Sequence, residues 1–146
     1  MDDDILGPID YLAVEFPNGR VTGESFRVVT DLVRRGIVRV LDLEFVAKSG
    51  DGGVRKVELR DVEHTADVDI TLWQGAESDV LDQSDFDLIA ANIAPGSLAG
   101  ILVYENVWAV PLLAVIERST AHIVGHGRID AEDLLAVLDV PEQRAR

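Results

Sequence analysis

Two glutamates close two apolar runs: Glu15 in IDYLAVEF (residues 9–16) and Glu105 in GILVYENVWAVPL (residues 100–112). Paired carboxylates can divide acid and base roles when they are close and unequally buried. The alternative role is a boundary, where each glutamate ends a strand as the chain reaches water. The boundary is the leading reading, with Glu105 at a strand-to-helix junction and Asn106 as a turn or N-cap residue. Tyr104, His126 and Arg128 would join Glu15 and Glu105 as ligand-lining residues if two sheets closed into a dimeric barrel.

Other constellations are weaker. His122 and His126 fall on one face of an expected strand, and four residues of strand separate them by about 13 Å, too far to hold one metal directly. Asp42 or Glu44 across the sheet could complete a site with one of them, but polar surface histidines are the favoured reading and no metal is assigned. Asp67 and Asp69 begin like a calcium loop. The tight-turn glycine is then replaced by Leu72 and the bidentate glutamate by Ser78. Gly125 and Gly127 lack the third glycine of a dinucleotide loop. There is no nucleophile elbow, P-loop or H-E-x-x-H motif. No catalytic residue and no cofactor is assigned.

The net charge is −14, from 27 acidic against 13 basic residues. Such a surface repels phosphate backbones, and no cationic cluster longer than Arg34-Arg35 offsets it. Nucleic-acid binding is therefore not expected. With no cysteine, thiol chemistry, disulfides and Cys-based zinc sites are excluded. The N-terminus MDDDILGP is acidic where a signal peptide would be basic. The longest uncharged run, 88–104, contains Pro95-Gly96 and is shorter than a membrane span. The expected location is the cytoplasm, without membrane insertion.

The elements that must position these residues follow from periodicity. Residues 9–16 read as a strand, PNG (17–19) as a turn, and 23–35 as a helix with Phe26, Val29, Leu32 and Val33 on one stripe. Residues 37–48 alternate as a two-faced strand, SGDGG (49–53) is a hairpin loop, and 54–59 is the return strand. Residues 60–81 are irregular or partly helical. Asp82 and Asp85 form a capping-box pattern before a helix to about Ile93. Residues 98–104 make a central strand covered on both faces. Residues 108–119 make a helix apolar nearly all round, hence buried on more than one side. HIVGHGRI (122–129) reads as a last strand, and a short helix follows Asp130 and Asp133.

Two βαβ units result, one from YLAVEF to VLDL and one from ILVYE to HIVGHG. The expected fold is α+β: a single ferredoxin-like sandwich over residues 1–146, with a mainly antiparallel sheet, helices on one face and a variable insertion at 61–82.

The segments GPIDYLAVEFP, RGIVRVLDLEFV, PGSLAGILVYENVWAVPL and GRIDAEDL resemble an uncharacterised actinobacterial domain-of-unknown-function family. More distantly, the chain is similar to small stress-associated bacterial proteins with a glycine-zipper membrane hairpin between the halves. Residues 61–82 have no glycine repeat and are acidic, so membrane insertion does not carry over. GRID also departs from the commoner Gly-Arg-Ile-Pro. The resemblance implies a fold and a stress-linked context, and supplies no catalytic residue.

The leading functional expectation is a non-enzymatic association module that forms a homo-oligomer, most simply a dimer. The apolar helix bearing Trp108 and Leu112 and a sheet face carrying Tyr11, Ala13, Val38, Val40 and Val124 would make the interface. The alternative is a small-molecule-binding or catalytic dimeric barrel.

Overall fold

The computed structural model describes residues 5–21, 23–64 and 80–138. The chain divides into two compact units, residues 1–114 and 115–146. In the first, strand β1 (Ile9–Phe16) is followed by a two-residue strand β2 (Arg20–Val21) and helix α1 (Gly23–Arg34). Then come the long strand β3 (Val38–Lys48), its hairpin partner β4 (Val54–Val57), a 3-10 turn at Leu59–Asp61 and β5 (Glu63–His64). Helix α2 (Gln83–Ala91), strand β6 (Leu98–Asn106) and a 3-10 turn at Val107–Ala109 lead into helix α3 (Val110–Glu117). The second unit contains the end of α3 and helix α4 (Ala131–Leu138).

β1, β3, β4 and β6 form one sheet in the order β1-β6-β3-β4, with every neighbouring pair antiparallel. β2 and β5 make a separate parallel pair. The α+β class is therefore met. β1 and β3 run the same way, are joined through α1 and are separated by β6. β4 and β6 likewise run the same way, with α2 in their connection and β3 between them.

β6 is buried along most of its length because it is central and apolar on both sides. Residues 45 and 46 of β3 point to opposite faces, as successive strand residues must. Phe45 packs in a cluster with Phe26 of α1, Val21, Val62 and Leu98. Val46 packs instead with Ile101 and with Phe86 and Ala90 of α2. The expectation of helices on one face is thereby corrected: α1 and α2 cover opposite faces, because β3 and β6 both present apolar residues to each side.

Local signals explain the element ends. Asp82 caps α2 in a full capping box, accepting the Asp85 N–H while the Asp85 side chain accepts its own. The Ser84 hydroxyl, followed by the Asp85 N–H, holds the Asp82 carboxyl below its ordinary range. Lys48 Nζ donates to the Ala90 and Ile93 carbonyls at the other end of α2. Gly52 in the hairpin loop has a positive φ of 92°, which the β3–β4 turn requires. A register shift between Val40 and Asp42 marks a bulge at Leu41.

Two further expectations are corrected. Residues 121–130 form no strand and are exposed throughout, so the second βαβ repeat lacks its closing strand. Gly125 and Gly127 weaken the strand tendency of HIVGHGRI, and alternation without a partner edge does not make a strand. The helix after β6 is also not buried all round. Ala109 and Ala114 are buried, whereas Trp108, Leu112 and Val115 are all more than half exposed.

Ile101 is fully buried on the α2 side of the sheet. Ile101→Ala is expected to cost about 2–5 kcal/mol of folding free energy, read by urea unfolding, against under about 0.5 kcal/mol for the exposed Leu88→Ala.

Candidate functional site

Glu105 ends up inside the protein, 4% exposed, and does not meet water at a strand end. Its Oε2 accepts the Gly7 N–H at 2.8 Å. Its Oε1 accepts Arg39 Nε at 2.8 Å and lies 2.8 Å from Arg39 Nη2. Arg39 stands opposite Glu105 in the β3–β6 register, so the sheet itself places the partner. Gly7 is forced by close approach, since a Cβ there would lie 2.1 Å from the Asn106 carbonyl oxygen. β6 continues one residue further, where the Asn106 N–H donates to the Pro8 carbonyl and its side-chain amide donates to Pro8 and Asp10. Its Oδ1 accepts from the Trp108 indole. Both oxygens of Glu105 are thus committed to the chain, and the group ties the residues before β1 to the central strands. The bulk of the Arg39 side chain stays in solvent, so its loss removes a charged donor from a buried carboxylate while the arginine itself loses little.

Glu15 shares a face with Glu105 but sits at the other end of the sheet. Glu105 pairs with Ile9, six positions along β1 from Glu15, or about 20 Å at strand rise. The two carboxylates cannot act on one atom. Glu15 Oε2 accepts the Ala94 N–H at 2.9 Å. That bond and then the Ser97 hydroxyl hold the Glu15 carboxyl below its ordinary range, with burial opposing them and the charge of Lys48 assisting.

Tyr104 is half-buried and points to the opposite face from Glu105, because the two are adjacent in β6. His126 and Arg128, with His122, are exposed residues of the second unit. Within the first unit, Glu15, Glu105 and Tyr104 are therefore not brought together at one point. Asp42 is fully buried on the face of Glu105, and Glu44 is paired with Lys56 at 3.0 Å. Among the described residues no group of three or more His, Asp or Glu side chains could hold a metal ion. Asp67 and Asp69 lie outside the described residues.

The interface candidates separate in the same way. Tyr11 and Ala13 point to the Glu105 face, while Val38 and Val40 point to the other. Trp108 and Leu112 are exposed on the 3-10 turn and α3, and Val124 is exposed in the second unit.

Two further features depend on strand order and not on any single residue type. The first is an apolar cleft of about 220 Å³ between α1 and the sheet, lined by Leu12, Val14, Phe26, Val29, Leu43 and Leu102 among others. Its floor is Gly100, where a Cβ would meet the rings of Phe45 and Phe16 at 3.0 and 3.2 Å. The second is β1 itself, an edge strand with Ile9, Tyr11, Leu12 and Val14 each 41–58% exposed. A glycine in an apolar strand and a strand rich in large apolar residues are the available signals, and neither says by itself that an edge or a cleft results.

The fold defines an α+β protein built on a four-stranded antiparallel sheet with helices on both faces. The model of a family of unknown function, DUF6325, matches residues 5–142, and the chain belongs to that family. No curated protein and no solved structure matches it.

Arg39→Ala is expected to lower stability by about 1–3 kcal/mol in denaturant titration, well above an exposed ion pair, because a buried carboxylate loses its charged donor. Gly7→Ala should destabilise through the backbone clash even with Arg39 intact. For Glu15 the sign follows from its lowered folded-state pKa: its stabilisation is present above the unfolded value and is lost as pH falls through the folded one. Glu15→Gln should therefore flatten the loss of stability below about pH 4 and change little in its slope near pH 7, measured as melting temperature against pH.

Proposed function

We propose that the protein is a soluble, cytoplasmic, non-enzymatic association module that acts as a homodimer. The observation that carries this reading is the exposed apolar edge strand. β1 presents Ile9, Tyr11, Leu12 and Val14 to solvent on an edge that pairs with no other strand among the described residues. It contains no proline, no lysine and no bulge, three of the devices by which edge strands are guarded, and its two charges are acids. Trp108 and Leu112 add a second exposed apolar patch. An actinobacterial origin, a stress-linked context and distant kinship with the glycine-zipper proteins belong to the same reading and rest on the sequence resemblance alone. The ferredoxin-like relationship rests on the two split crossovers.

A second reading is supported by the apolar cleft over Gly100. Its lining of aliphatic and aromatic side chains suits a small apolar ligand held by burial, not by polar chemistry. None of Glu15, Glu105, Tyr104, His126 or Arg128 lines this cleft.

Native mass spectrometry across a concentration series separates the two. A dimer at micromolar concentration, without an adduct, is the expected result. A protein monomeric throughout would overturn the association reading, and a retained lipophilic adduct lost on denaturation would favour the ligand reading.

A further inference from the structure

We infer that two copies of this chain pair through β1 in one antiparallel register, with Leu12 on the two-fold axis and Ile9, Tyr11, Ala13 and Glu15 bonding to Glu15, Ala13, Tyr11 and Ile9 of the partner. This rests on the association reading and gives its surface and geometry.

The backbone decides the register. In an antiparallel ladder, alternate residues turn both main-chain groups to one neighbour. The Asn106 N–H donates to the Pro8 carbonyl, and Pro8 stands opposite Asn106 in the continuing β1–β6 register. The even residues of β1 therefore face β6. On the other side of β6 the Lys48 N–H donates to the Ser97 carbonyl, so the odd positions of the β6 register serve β3. The two ladders agree. Ile9, Tyr11, Ala13 and Glu15 are left with their N–H and C=O groups at the outer edge.

Two copies meeting antiparallel about Leu12 match all four of these residues to four of the partner, making about eight main-chain hydrogen bonds. A shift of two residues in either direction leaves an outward residue unmatched.

The side chains agree with the same register. Tyr11 comes opposite Ala13, large against small, and Leu12 meets Leu12. The two acids never face one another: Asp10 comes opposite Val14, and Glu15 comes opposite Ile9. Like charges directly opposite would be destabilising, which matters for a chain of net charge −14. Both acids are also tied back into their own copy, Asp10 to the Asn106 amide at 3.0 Å and Glu15 to the Ala94 N–H at 2.9 Å. They do not guard the edge. The product is a continuous eight-stranded sheet with isologous contacts, a closed two-fold arrangement.

The absence of cysteine makes the test clean. Leu12 forms a non-hydrogen-bonded pair across the axis, where Cα atoms are about 4.5 Å apart and a disulfide fits. Full-length Leu12→Cys, oxidised under mild conditions, should run as a covalent dimer. Val14→Cys should not, because the two copies of residue 14 lie about 13 Å apart. Leu12→Lys, at a half-exposed position, should raise the dimer dissociation constant at least about tenfold while its circular dichroism matches that of the wild type. A dimer that forms with Leu12→Cys uncrosslinked, or cross-links through Ala13→Cys or Val14→Cys instead, overturns this register and leaves the association reading standing. A wild-type protein that stays monomeric overturns both.

Discussion

Everything in the sheet depends on how β6 divides its backbone. Its even residues bond to β1 and its odd residues to β3, so the strand is saturated on both sides and cannot lie anywhere but the interior. Its apolar side chains then demand cover on both faces, which α1 supplies on one side through Phe26 and α2 on the other through Phe86 and Ala90. β4 ends the sheet beyond β3 as a short strand of four residues, a modest edge. β1 ends it on the other side with eight residues and no neighbour beyond among the described residues. The saturation of the centre and the openness of that edge are two consequences of one strand order.

The acidic residues are arranged around the same frame. Glu105 is locked between Gly7 and Arg39, so the residues that lead into β1 are fixed to the two central strands. Asp10 and Glu15 bond inward to groups of neighbouring elements. Few charges are therefore free to protect β1, although the chain as a whole is strongly acidic. A net charge of −14 disfavours close approach in general.

Much of the fold was legible in residue patterns. The SGDGG loop and the Asp82–Asp85 box are local preferences that neighbouring residues decide, and the alternation in 37–48 and the apolar run after APGS are kept because each finds partner strands in the sheet. The HIVGHGRI segment alternates equally well and is not a strand, since a strand exists only with a partner edge. The side of the sheet that each helix covers was likewise hidden, because both faces of β3 carry apolar residues. The sequence marks Glu105 as a boundary residue and hides its burial, because Arg39 and Gly7 lie 66 and 98 residues away in the chain. Trp108 and Leu112 were singled out by type and are exposed, whereas Tyr11 and Val40, placed on one face by sequence, point to opposite sides. The cleft over Gly100 and the bare edge of β1 emerge only from strand order.

The most direct test of this account is amide hydrogen exchange along β1, resolved residue by residue and compared between dilute and concentrated protein. Ile9, Tyr11, Ala13 and Glu15 should exchange rapidly when dilute and become protected on concentration, while Asp10, Leu12 and Val14 are protected at both. Odd and even residues protected alike in dilute solution, or odd residues that never gain protection, would contradict it.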